Sequence, residues 1–98
     1  MYGIQFDSKK EAERYLELRQ LQDNGFITDL QVQIPFEIVP KTDKFRNVKY
    51  IADFVYIVHG AGKVAEDVKG YRKGAAYSIF KVKQKLMYWV HGIEVMEI

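Results

Sequence analysis

Four residues have side chains whose types and spacing could do chemistry together: Glu11, Asp53, Asp67 and Lys69. Three of them sit in two apolar, β-branched runs, 50–59 and 62–70, joined through His59-Gly-Ala-Gly62. Two such runs about a glycine-rich turn make the pattern of a β-hairpin. Strand side chains alternate faces, so Asp67 and Lys69 point one way while Glu66 and Val68 point the other. With the hairpin paired, Asp53 reaches the face of Asp67 and Lys69 from the neighbouring strand. Two carboxylates and one amine in an otherwise apolar setting leave charge that is costly to bury. A divalent cation on carboxylate oxygens would balance it. A structural salt-bridge cluster is the competing account, and residue types alone leave both open. Alternation makes Glu66 a structural acid, and a ligand only if the strand bulges.

Several elements must position these groups. Residues 8–24 read as an amphipathic helix stopped by Gly25, a natural residue just past a helix end. Glu11 falls on its apolar side, between Tyr15 and Leu18. Ser8-x-x-Glu11 is also a capping box, so capping and metal ligation both call for the same residue. Residues 26–39 read as a long strand, in which Pro35 implies an edge position or a bulge. Gln31 and Gln33 share a face of that strand. After a polar connection (41–47), the hairpin and a loop at 70–74, residues 75–91 form a second helix. Its core-facing spacing is Ile79, Val82, Leu86, Trp89 and Val90, with Lys81 and Lys85 stacked on another stripe near Tyr77 and Tyr88. Gly92 ends it, and 93–98 alternates as a last strand. The order is α-β-β-β-α-β, an α+β (α/β) arrangement with a central mixed four-stranded sheet flanked by two helices. Residues 1–98 are expected to form one domain, with a short N-terminal extension missing ahead of the first helix.

The composition fits this frame. The chain has 98 residues, 48% hydrophobic and 14% aromatic, enough for one packed core. It has no cysteine, which excludes a disulfide scaffold and a cysteine zinc site and fits a reducing cytoplasm. No run is long and apolar enough for a membrane span. The net charge is only +2, yet Lys69, Arg72, Lys73, Lys81, Lys83 and Lys85 follow one another without an acid. Lys41, Lys44, Arg46 and Lys49 cluster ahead of the hairpin. Such asymmetry suits a polyanionic partner, and it also suits an ordinary solvated surface.

An acidic helix residue, an aspartate in a strand and Asp-x-Lys in the next strand, in this element order, resemble the PD-(D/E)XK nuclease superfamily. The signature reads here as Ile51-Ala52-Asp53, without the family's proline, and Asp67-Val68-Lys69. The opening helix is similar to that of Holliday junction resolvases and transposon end-cleaving endonucleases. The hairpin looks closest to small phage-encoded members. The resemblance implies a restriction-endonuclease-like core and a divalent-metal-dependent DNA endonuclease, with branched or recombining DNA among its substrates. It implies Mg²⁺ or Mn²⁺ on Asp53, Asp67, the Val68 carbonyl and Glu11, and Lys69 orienting water or stabilising phosphate charge. Lys73, Lys81, Lys83, Gln84 and Lys85 would bind DNA, with Gln84 and Tyr88 similar to a Gln-x-x-x-Tyr pattern of some exonuclease branches. A bacterial cytoplasm and a homodimer are the accompanying expectations. A nucleic-acid-binding or assembly module without catalysis is the rival reading.

Overall fold

The hydroxyl of Ser8 accepts the Glu11 N–H at 3.1 Å, satisfying one of the amides that a helix N-terminus leaves open. Helix α1 (Lys9–Asp23) follows. Gly25 takes the left-handed conformation at its end (φ 80°), and the Phe26 N–H closes on the Leu21 carbonyl at 2.9 Å. This is a Schellman stop, which favours glycine because it has no Cβ to strain. The buried residues of α1 are Glu11, Tyr15 and Leu18. Four and three residues apart, they lie on one stripe, so the helix presses an acid as well as two hydrophobes against the sheet.

The computed structural model describes residues 3–98. Strands β1 (Ile27–Val39), β2 (Val48–Val58) and β3 (Gly62–Asp67) form an antiparallel meander. Helix α2 (Gly74–His91) then crosses over to β4 (Val95–Glu97), which lies parallel to β3. The sheet order is β1-β2-β3-β4, so the expected mixed four-stranded sheet with two helices is present. Pro35 lies in β1, an edge strand, where its missing N–H costs no ladder bond on the open side.

The core divides into two clusters, one under each helix. Tyr15, Leu18, Ile27, Phe54 and Tyr56 pack with α1. Ile38, Tyr50, Ala52, Val55, Ala65, Phe80, Met87 and Val95 pack with α2. The even-numbered residues of both long strands change cluster at one level of the sheet. In β1, Leu30 and Val32 join the α1 cluster, whereas Ile34 and Phe36 join the α2 cluster. In β2, Tyr50 and Ala52 belong with α2, and Phe54 and Tyr56 with α1. The simple period of two therefore breaks across Gln33 and Asp53. Gln33 lies between the register pairs Val32↔Phe54 and Ile34↔Ala52, and its φ is 54°.

The expected core face of α2 needs correction. Ile79, Val82, Trp89 and Val90 are exposed, Trp89 at 85%, and Leu86 is only partly buried against the core. The buried residues are Phe80 and Met87. A stripe one position round carries Phe80, Gln84, Met87 and His91 at equally good helical spacing. Its polar members are satisfied by strand backbone: Gln84 Nε2 donates to the Val95 carbonyl at 2.8 Å, and His91 Nε2 lies 2.7 Å from the Glu37 carbonyl oxygen. Hydrophobicity alone favoured the other stripe because it could not see these two bonds.

Helix α1 is fixed to the sheet by a buried ion pair. Arg14 Nε and Nη2 donate to the two Glu66 oxygens at 2.8 and 2.6 Å, and the Tyr56 hydroxyl also donates to Glu66. Glu66 is fully buried, so removing its cation would strand a charge in a low-dielectric site. Arg14→Met is predicted to destabilise the fold by about 3–5 kcal/mol in urea unfolding at neutral pH. Arg14→Met/Glu66→Gln is predicted to recover much of that loss.

Candidate functional site

The break in strand alternation places Asp53 where the two layers meet. Its Oδ2 accepts the Val68 N–H at 2.8 Å, so the side chain bridges to the end of β3. Its Oδ1 accepts from Gln33 Nε2 at 3.1 Å, and the same Gln33 nitrogen donates to Glu11 Oε1 at 2.8 Å. One amide thus bridges two carboxylates that arrive from α1 and β2. The Glu11 carboxylate turns to the sheet, while its backbone N–H is the group capped by Ser8. Ser8 caps the Glu11 amide, whereas the Glu11 carboxylate, which a capping box would turn back to the Ser8 N–H, bonds Gln33 instead.

On the α2 side, Asp67 and Lys69 form an ion pair of 2.9 Å. The Tyr50 hydroxyl donates to the second Asp67 oxygen at 2.7 Å, and burial with that bond pushes the phenol pKa up. Lys69 Nζ lies 3.7 Å from the centre of the Phe80 ring, a cation–π contact that fixes where the amine points. Lys10 Nζ donates to the Lys69 and Ile98 carbonyls at 2.7 and 3.0 Å, pinning the segment after β3. Beside the ion pair runs an open groove of about 280 Å³. Its walls include Lys49, Ile51, Ile79 and Lys83.

The electrostatics are unbalanced. Glu66 has Arg14 and Asp67 has Lys69. Among the described residues neither Glu11 nor Asp53 forms an ion pair. Burial, then the Asp53 charge, pushes the Glu11 carboxyl up to about 7. Burial also raises Asp53, and the nearby Asp67 charge adds to it. Glu11, raised by burial and the Asp53 charge, and Asp53, raised by burial and the Asp67 charge, form a place where a cation would be welcome.

The donor chemistry fits a hard divalent ion. All side-chain donors are carboxylate oxygens. Among the described residues no three acid, histidine or cysteine side chains gather closely enough to hold a metal unaided. Mg²⁺ commonly binds through one or two carboxylates, with water and substrate oxygens completing its shell.

The other site residues expected from the sequence divide between two sides of α2. Lys83 lines the groove beside Asp67 and Lys69. Gln84 and Lys85 line a different groove with Tyr88, Glu94 and Val95, so the Gln84–Tyr88 pattern does not face the acids. Lys81 is tied to Glu97 at 2.7 Å and to Gln84 at 3.0 Å, and the Lys81 and Tyr77 bonds lower the Glu97 pKa. Lys73 is the exposed N-cap of α2 and makes no side-chain cap bond. Val68 enters through its N–H, with its side chain packed in the α1 cluster. Sequence reasoning passed over Gln33, Tyr50 and Lys49 as site residues. Polar Gln33 in an apolar strand and the basic run containing Lys49 were signals; Tyr50 gave none.

The chain matches a family described as a protein of unknown function (DUF1064) over residues 1–94, and it belongs to that family. No curated protein and no solved structure matches it significantly.

The raised Glu11 pKa predicts a stability profile. The folded protein holds the Glu11 proton up to about 7, whereas the unfolded chain releases it near the ordinary glutamate value. Stability from this group is therefore complete below the unfolded value and is lost as pH rises through about 7. In chelator, wild-type thermal stability should fall relative to Glu11→Gln between pH 4.5 and 8. Parallel profiles for the two proteins would contradict the assignment.

Proposed function

We propose that this chain is a divalent-metal-dependent nuclease of PD-(D/E)XK type that hydrolyses phosphodiester bonds in DNA, branched or recombining DNA among its substrates. The observation that carries this reading is the meeting of Glu11, Asp53, Asp67 and Lys69 at one end of the sheet, with two of the acids lacking a cation. The element order and mixed sheet agree with a restriction-endonuclease-like core.

In this reading Asp53 and Asp67 would hold the ion, with the Val68 carbonyl, and Glu11 through water, completing the protein's share. Bound Mg²⁺ or Mn²⁺ supplies a Lewis acid for the phosphate and a more acidic water as nucleophile. The Val68 N–H and the Tyr50 hydroxyl fix the two aspartates, so their free lone pairs keep a constant direction. Lys69, already steered by Asp67 and Phe80, orients the attacking water or offsets charge growing on the phosphoryl oxygens. Lys49 and Lys83 border the groove and hold neighbouring phosphates, contacts that position a strand without reading its bases. The exposed Lys85 and Lys73 extend the basic surface beyond the groove.

The test is incubation with junction, flap, single-stranded and duplex DNA in Mg²⁺ or Mn²⁺. Cleavage is expected, with Asp67→Asn and Lys69→Ala each at least about a hundred-fold slower while remaining folded. No cleavage of any substrate, or equal cleavage by Asp67→Asn, would overturn the reading. Salt-sensitive DNA binding that survives without metal binding would then identify a non-catalytic binding module.

A further inference from the structure

We propose that Gln33 is a positioning residue of the metal site, a fixed amide that holds Glu11 and Asp53 side by side so that they act as one ligand pair. This inference rests on the functional reading above and adds a residue to it.

Three observations converge on Gln33. First, a single nitrogen donates to an oxygen of each acid, at 2.8 Å to Glu11 and 3.1 Å to Asp53. The Asp53 charge disfavours an ionised Glu11 beside it. A donor shared between them offsets that repulsion and leaves each acid a lone pair for another partner. Second, the backbone of Gln33 is left-handed, with φ 54°. Glutamine rarely takes that conformation, and strain of this kind persists where the surroundings demand it, often at functional sites. Third, Gln33 stands opposite Asp53, where both strands exchange core layers. An ordinary extended residue in β1 would continue the alternation of its neighbours. The left-handed turn changes the direction in which the side chain leaves the strand and delivers its amide to the acids.

Hydrogen-bond donors behind metal-binding carboxylates have a measurable effect: losing one commonly lowers metal affinity ten- to a hundred-fold. Glycine suits a left-handed backbone, so Gln33→Gly removes the amide without adding strain at this position. The experiment is Mn²⁺ titration of the full chain, followed by electron paramagnetic resonance, for wild type, Gln33→Gly and Asp53→Asn, with thermal unfolding measured in parallel without metal. The expected result has Gln33→Gly as stable as wild type or more so, yet binding Mn²⁺ about ten-fold more weakly, with Asp53→Asn weaker still.

If wild type binds Mn²⁺ through Asp53 and Gln33→Gly binds it equally well, the role of Gln33 is overturned and the site reading stands. If wild type shows no binding that depends on Asp53, the site reading fails and this inference falls with it. Loss of the fold in Gln33→Gly would make Gln33 a structural residue and also overturn the proposal.

Discussion

One carboxylate organises this end of the molecule. Asp53 accepts the backbone N–H of Val68 on one oxygen and the amide of Gln33 on the other, with Glu11 and Asp67 as its acidic neighbours. The first bond takes over from the β2–β3 ladder, whose last backbone pair on this side is Phe54 with Glu66. The second draws in α1 through Glu11. A side chain that stitches strand to strand and strand to helix must be partly buried, and burial raises the cost of its charge. The fold and the acidity of the site therefore depend on the same group.

Two ion pairs frame this strained centre from opposite layers. Arg14 and Glu66 neutralise each other under α1, while Asp67 and Lys69 do so under α2. Both settle charges at their own positions and leave Glu11 and Asp53 as the acids shared between the layers. A structural cluster selected for stability alone would be expected to pair these too, since buried charge without a counterion is expensive. The imbalance favours a cation site over a purely structural salt-bridge cluster. In the proposed function the groove beside Lys69, bordered by Lys49 and Lys83, is the route for an anionic strand. The exposed Ile79 and Ile51 on its walls show that it is not purely polar.

Much of the fold was legible in the residues because its signals are local. Ser8, Gly25 and Gly92 mark helix ends, Gly60 to Gly62 mark the hairpin, and Pro35 marks an edge. Simple alternation also separated Asp67 from Glu66 correctly: they face different partners in different layers. Less legible was anything set by distant backbone. The buried stripe of α2 depends on the Val95 and Glu37 carbonyls, which come from strands at opposite edges of the sheet. Gln33 was visible only as a polar residue sharing a face with Gln31. Its role needed the left-handed backbone, and no sequence pattern announces that conformation in a glutamine. The lysines of α2 were counted as one surface, although Lys81 is spent on Glu97 and only Lys83 of that set reaches the groove by Asp67.

The central claim is that the acids gathered around Asp53 form a divalent-cation site. It is tested most directly by the anomalous scattering of crystals soaked in Mn²⁺. The account predicts a peak within bonding distance of an oxygen of Asp53 and an oxygen of Asp67, with Glu11 within reach through a direct or water-mediated contact. Anomalous density confined to other surfaces, with Asp53 still bonded to Gln33 and Val68 as here and no ion beside it, would contradict the account.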